Sequence, residues 1–165
     1  MYQRILVPLD GSELSNRGLH EALRLVKDTT ASIVLLHVID DYPTMREFAS
    51  SQPLEDMRRH RLQQGCALLA APSKIAREAG ARVQDVACFA MESASASILE
   101  CAATNQCDLI VMSSHGRSGV RRALMGSVTE DVSRNSTVPV LIVPAPKEPA
   151  SNPAGGTVPM ATASG

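Results

Sequence analysis

Arg4-Ile5-Leu6-Val7-Pro8-Leu9-Asp10-Gly11-Ser12 opens as an unbroken apolar run and stops abruptly at Asp-Gly-Ser. A strand with one wet face alternates apolar and polar residues, whereas a strand covered on both faces stays apolar throughout. The run therefore predicts a buried strand, and Asp10 to Ser12 predict a turn into a helix capped by Ser12. Working outward, Ser32–Ile39, Asp108–Met112 and Val138–Val143 repeat the continuous pattern, and Arg82–Phe89 is a more polar strand. Between them lie segments of helical periodicity, such as Leu19, Ala22, Leu23 and Val26, or Ile98, Cys101 and Ala102. The order β-α-β-α-β-α-β-α-β predicts an α/β domain: a single open five-stranded parallel sheet, Rossmann-like, with helices on both faces.

Local chemistry adds detail to this frame. Gly80 is placed to end the second helix, and Pro72 inside it predicts a kink or break, because proline removes one hydrogen bond and crowds a carbonyl. The stretch from Asp40 to Pro53 lacks periodicity and reads as a loop. After Pro144 the composition turns to Pro, Ala, Gly, Ser and Thr. The domain is therefore expected over residues 1–144, and residues 145–165 are expected to be a disordered tail.

Composition narrows the partners. Formal net charge is −1 among 165 residues and aromatics make up 2%, with no Trp, so neither a phosphate-neutralising surface nor stacking platforms for nucleic acid are available. No apolar run approaches the roughly 18 residues that cross a bilayer. Cys66, Cys88, Cys101 and Cys107 form no CxxC pair and read as reduced, buried thiols of a cytoplasmic protein.

In an open parallel sheet, ligands collect beyond the carboxyl ends of the strands, where strand order reverses. Two polar clusters sit at such ends: Pro8-Leu9-Asp10-Gly11-Ser12, and Ser113-Ser114-His115-Gly116-Arg117-Ser118-Gly119 continuing to Gly126-Ser127-Val128-Thr129-Glu130. If the first and fourth strands are neighbours, both clusters face one crevice. Glycines at 116 and 126 permit close backbone approach, and Ser127 stands at a helix N-terminus, where free amides and the dipole favour an anion. Arg117, Arg121 and Arg122 add charge there or form a solvated loop. Asp10 reads as a ligand contact or as a brace for the helix cap. His115 reads as a structural hydrogen-bonding group before an acid or base, His37 as a packed strand residue, and His20 and His60 as exposed helix positions.

His115-Gly116, nine residues, then Gly126-Ser127, together with Val-Pro-Leu-Asp-Gly-Ser and Asp-Leu-Ile-Val-Met, resembles the universal stress protein family over residues 2–144. Its ATP-binding branch carries Gly-x2-Gly-x9-Gly followed by Ser or Thr. Ser113 stands at the first glycine, and Glu92-Ser93-Ala94 replaces a frequent Gly-x-Pro. The resemblance implies strand order 3-2-1-4-5, a homodimer through the fifth strand at Pro139–Val143, and ATP, with Mg²⁺ as the usual companion of a triphosphate. It places Pro8, Leu9, Asp10, Val38, Met112, Ser113, His115, Gly116, Arg117, Gly126, Ser127, Val128 and Thr129 around the nucleotide. Asp10 would meet the ribose or metal side, the Val38 backbone the adenine, and Gly116, Gly126 and Ser127 the phosphates. Ser113 brings a Cβ to a place of close approach but also a hydroxyl donor.

The chain contains no Walker Gly-x4-Gly-Lys, no Gly-x-Gly-x-x-Gly after the first strand and no nucleophile elbow. A binding protein with at most slow ATP hydrolysis, acting in the stress response and docking an unidentified protein partner, is the expected function. The alternative is a nucleotide-free dimeric interaction module of the same fold. Neither reading assigns a catalytic residue.

Overall fold

The computed structural model describes residues 1–40, 52–90, 92–114 and 125–145. Five parallel strands, β1 (Arg4–Pro8), β2 (Ser32–Ile39), β3 (Arg82–Phe89), β4 (Leu109–Ser113) and β5 (Val140–Val143), form one sheet in the order β3-β2-β1-β4-β5. Helices α1 (Glu13–Val26), α2 (Gln52–Glu78), α3 (Ala94–Thr104) and α4 (Ser127–Asn135) link them. Strand limits fall within two residues of the sequence expectation at nearly every end, and the order is the one the resemblance implies.

Alternate residues of the central strands supply two cores, which is why those strands read as continuously apolar. Ile5, Val7, Ile33, Leu35 and Val111 pack with Leu19 and Ala22 of α1 and Leu69 and Ala76 of α2. Leu6, Val34, Leu36, Ile110 and Met112 pack on the other face with Ile98 and Cys101 of α3 and Val132 of α4. Gly18 lets α1 press on β4, since a Cβ there would meet the Val111 carbonyl at 3.4 Å. Asp108, expected within the fourth strand, lies just before it. Its carboxylate accepts from the Gln3 and Arg4 amides at 2.8 and 3.0 Å and ties β4 to β1.

Ser12 caps α1, its hydroxyl accepting from the Ser15 amide at 3.1 Å. Gly80 adopts φ +83° just past α2, where its own amide reaches the Arg77 carbonyl and the Ala81 amide the Ala76 carbonyl, the geometry of a glycine helix stop. The expected break at Pro72 does not occur: α2 continues through it to Glu78. Pro72 is buried, and the turn after it is held to β3 by Ser73 Oγ and Arg77 Nη2, which donate to Asp85 Oδ2 at 2.9 and 3.1 Å. Packing against the sheet outweighs the lost hydrogen bond and the ring clash, which together cost about 3 kcal/mol in an isolated helix.

The cysteines divide. Cys101 and Cys107 are buried and Cys88 half-buried, as expected of small hydrophobes, but Cys66 is exposed on α2. Burial, with Cys107 and Cys88 nearby, pushes the Cys101 thiol up to about 11. Cys88 and Cys107 are raised from the same first cause. His20 and His60 are exposed, as read from the sequence. Most of the loop from Asp40 to Pro53 (residues 41–51), and nearly all of the tail (residues 146–165), lie outside the described residues.

Candidate functional site

The sheet order puts β1 beside β4, so the chain leaves them on opposite faces toward α1 and α4, and a crevice opens at their carboxyl ends. Of the residues that the resemblance places around ATP, His115, Gly116 and Arg117 lie outside the described residues, with Arg121 and Arg122. The others, Pro8, Leu9, Asp10, Val38, Met112, Ser113, Gly126, Ser127, Val128 and Thr129, all line one cavity of about 640 Å³.

One wall is the β1–α1 turn. The Leu9 amide donates to the Leu36 carbonyl at 2.7 Å and fixes the turn to β2. Asp10 Oδ1 accepts from the Ser12 amide at 2.9 Å and the Ser12 hydroxyl at 2.6 Å. Asp10 thus braces the α1 cap while lining the cavity, and the two readings of this carboxylate coexist.

The facing wall is the end of β4 and the start of α4. Thr129 Oγ1 donates to the Ser113 carbonyl at 3.0 Å, and the Gly126 amide donates to the Ser114 carbonyl at 2.8 Å. These bonds fix the helix N-terminus at the rim. Gly126 is the cap residue and has no side chain with which to accept from the first-turn amides. The first turn of α4 therefore lacks a side-chain cap at the cavity rim, with the positive end of the dipole behind it. Ser113 is buried, and its hydroxyl donates to the Leu14 carbonyl of α1. The hydroxyl donor expected for a ligand is consequently spent on the protein. A side chain bound to α1, where Gly18 brings that helix close, reconciles a Cβ with this position.

The third wall is α2, whose Arg61, Gln64, Gly65 and Leu68 face the cavity, and the sequence reading missed all four. An interior helical glycine is the one signal that marked this face. A Cβ on Gly65 would stand 2.8 Å from Ile39 Cδ1 and 3.2 Å from His37 Cδ2, so its absence lets α2 close over the end of β2. Arg61 Nη1 donates to the Asp40 carbonyl at 3.3 Å across the same junction. His37, read only as packed, is buried as expected and also lines the cavity.

On the fourth side, Ser93 caps α3 by accepting from the Ala96 amide at 3.1 Å, and Ala94 begins the helix. The Glu92-Ser93-Ala94 sequence thereby builds an ordinary capped entry without proline. Beyond Ala94, Ser127 and Val128 a second hollow of about 480 Å³ is lined by Glu130, Asp131 and Arg134. Its two carboxylates make it a poor continuation for an anion. Among the described residues, no group of three or more His, Cys, Asp or Glu is arranged to hold a metal ion, and no helix is long and apolar enough to cross a membrane.

Comparison with known proteins agrees with this architecture. The sequence profile of the universal stress protein family matches residues 1–144. Universal stress protein MJ0531 of Methanocaldococcus jannaschii is 32% identical over 151 residues, covering 90% of this chain and 85% of its own. The solved structure of hypothetical protein MJ0577, from the same archaeon, superposes with a TM-score of 0.78 at 27% identity, covering 90% of this chain and 99% of that one. A universal stress protein crystallised in complex with cAMP shares the fold at 24% identity and a TM-score of 0.61, covering 86% of this chain and 96% of that one. With its strand order, its β1 and β4 turns and this match over nearly the whole described fold, the chain belongs to the universal stress protein family.

Proposed function

We propose that the cavity binds an adenine nucleotide, ATP with Mg²⁺, and that the protein works in the stress response as a nucleotide-dependent regulatory homodimer. The observation that carries this reading is the convergence of the β1 turn, the end of β2 and the amide-bearing N-terminus of α4 on one cavity. Its volume, about 640 Å³, lies within the few hundred to 1,000 Å³ usual for small-molecule sites. The α4 amides suit the phosphates, the Asp10 carboxylate suits a Mg²⁺ carried in by them, and the aliphatic wall at β2 suits the base. The relative in complex with cAMP is consistent with an adenine ligand. Asp10 is bonded as a positioning group rather than as a free base, which fits hydrolysis that is slow at most. Occupancy would then set the conformation offered to a protein partner.

Calorimetric titration of MgATP into nucleotide-stripped protein should give saturable binding. Gly126→Val, which fills the approach to the α4 amides, should abolish it while far-UV circular dichroism stays unchanged. No heat at millimolar ATP overturns the proposal.

Ser113 favours a second reading, a nucleotide-free dimeric module, because it adds a Cβ where the ATP-binding pattern has glycine. Mass spectrometry of freshly purified protein distinguishes the two: co-purifying adenine nucleotide excludes the module.

A further inference from the structure

The nucleotide cavity is continued beyond the start of α4. Ala94, Ser127 and Val128 line both that cavity, of about 640 Å³, and the second hollow of about 480 Å³. The two spaces therefore meet where α3 and α4 begin, at Ala94 and Ser127. Each has the size of a small-molecule site. Their chemistry differs, because the second is edged by Ser93, Ser95, Glu130, Asp131 and Arg134 and lacks the aliphatic wall that β2 gives the first. Arg134 Nη2 donates to Glu130 Oε1 at 2.6 Å, and Ser95 Oγ donates to Asp131 Oδ2 at 2.7 Å. A carboxylate has about four acceptor sites, so both keep capacity for further donors.

We infer that the second hollow takes a second nucleoside, so that the preferred ligand class is a dinucleoside polyphosphate, its phosphates crossing the start of α4 with one nucleoside in each space. The inference rests on the nucleotide reading of the first cavity. With the base at β2, ATP turns its terminal phosphate toward this hollow, where Glu130 and Asp131 repel further negative charge. Joining a second nucleoside to that phosphate removes one ionisable oxygen and replaces it with a neutral group rich in donors. Ribose hydroxyls on a carboxylate are a common way for α/β sheets to hold the sugar of a dinucleotide. The bridging phosphates keep their charge at the N-terminus of α4, where the dipole favours an anion, and the neutral ends occupy the two hollows.

The test is calorimetric titration of nucleotide-stripped protein with ATP, diadenosine triphosphate and diadenosine tetraphosphate, each with Mg²⁺. Wild-type protein should bind at least one diadenosine compound about tenfold more tightly than ATP, with one molecule per chain. A variant carrying both Glu130→Ala and Asp131→Ala should lose that preference down to about twofold, the statistical advantage of a ligand with two adenosine ends, while binding ATP no more weakly. Wild-type affinities within about twofold of each other, one diadenosine molecule shared by two chains, or a preference that survives in the variant overturns the inference and leaves the nucleotide site intact. No binding of any of the three ligands overturns both. Amide resonances of wild-type protein give a readout that needs no variant: those of Ser95 and Arg134 should shift with the tighter diadenosine compound and stay in place with ATP, and resonances unmoved at saturation contradict the inference.

Discussion

Ser113 and Thr129 show how single residues hold the two halves of the site together. Thr129 is 3% exposed, and its hydroxyl donates to the Ser113 carbonyl at the end of β4. Ser113 in turn binds α1 through its own hydroxyl, so one residue links the helices on opposite faces of the sheet. Thr129→Val keeps the shape but leaves the Ser113 carbonyl short of a donor. It should lower unfolding stability by about 1–3 kcal/mol, read as a fall in urea midpoint at unchanged slope. A change of only a few tenths would mean that the bond contributes little to anchoring α4. At this scale the sequence was legible where chemistry is local: Asp10 sits beside a strand end in the chain itself, and Gly126 and Ser127 stand at the start of a helix. Arg61, Gln64 and Leu68 were not legible, because their place in the cavity depends on how closely α2 packs on β2, and only Gly65 hinted at that.

Among the elements, β5 is an edge strand of four residues in which Leu141 remains 36% exposed. Among the described residues no strand pairs with the outer edge of β5; such an edge invites pairing with another chain, and a second copy offers the same edge for a closed, symmetric match. Leu141→Asp should therefore convert a dimer to a monomer in sedimentation velocity, with the fold retained. A wild-type protein that sediments as a monomer at about 50 µM would rule out an interface here of the usual stability. The strands were readable because continuous burial on two faces leaves a continuous apolar run. The polar β3, at the opposite edge and half-covered, was legible through its flanking turns. α2 runs unbroken through Pro72: propensity weighs a local loss, whereas the helix is fixed by the Ser73 and Arg77 bonds to Asp85 on a different strand.

For the whole molecule, the fold matters because it reverses strand order between β1 and β4 and so leaves a hollow that neither core fills. Every described residue expected around the nucleotide meets in that hollow, although Pro8 and Thr129 are separated by most of the chain. The most direct measurement is a crystal structure of the protein grown with MgATP. The account predicts the triphosphate within hydrogen-bonding distance of the Ser127 and Val128 amides and the base at the end of β2 beside His37 and Val38. A nucleotide bound elsewhere, or one with its phosphates turned toward α2 and its base on α4, would contradict it.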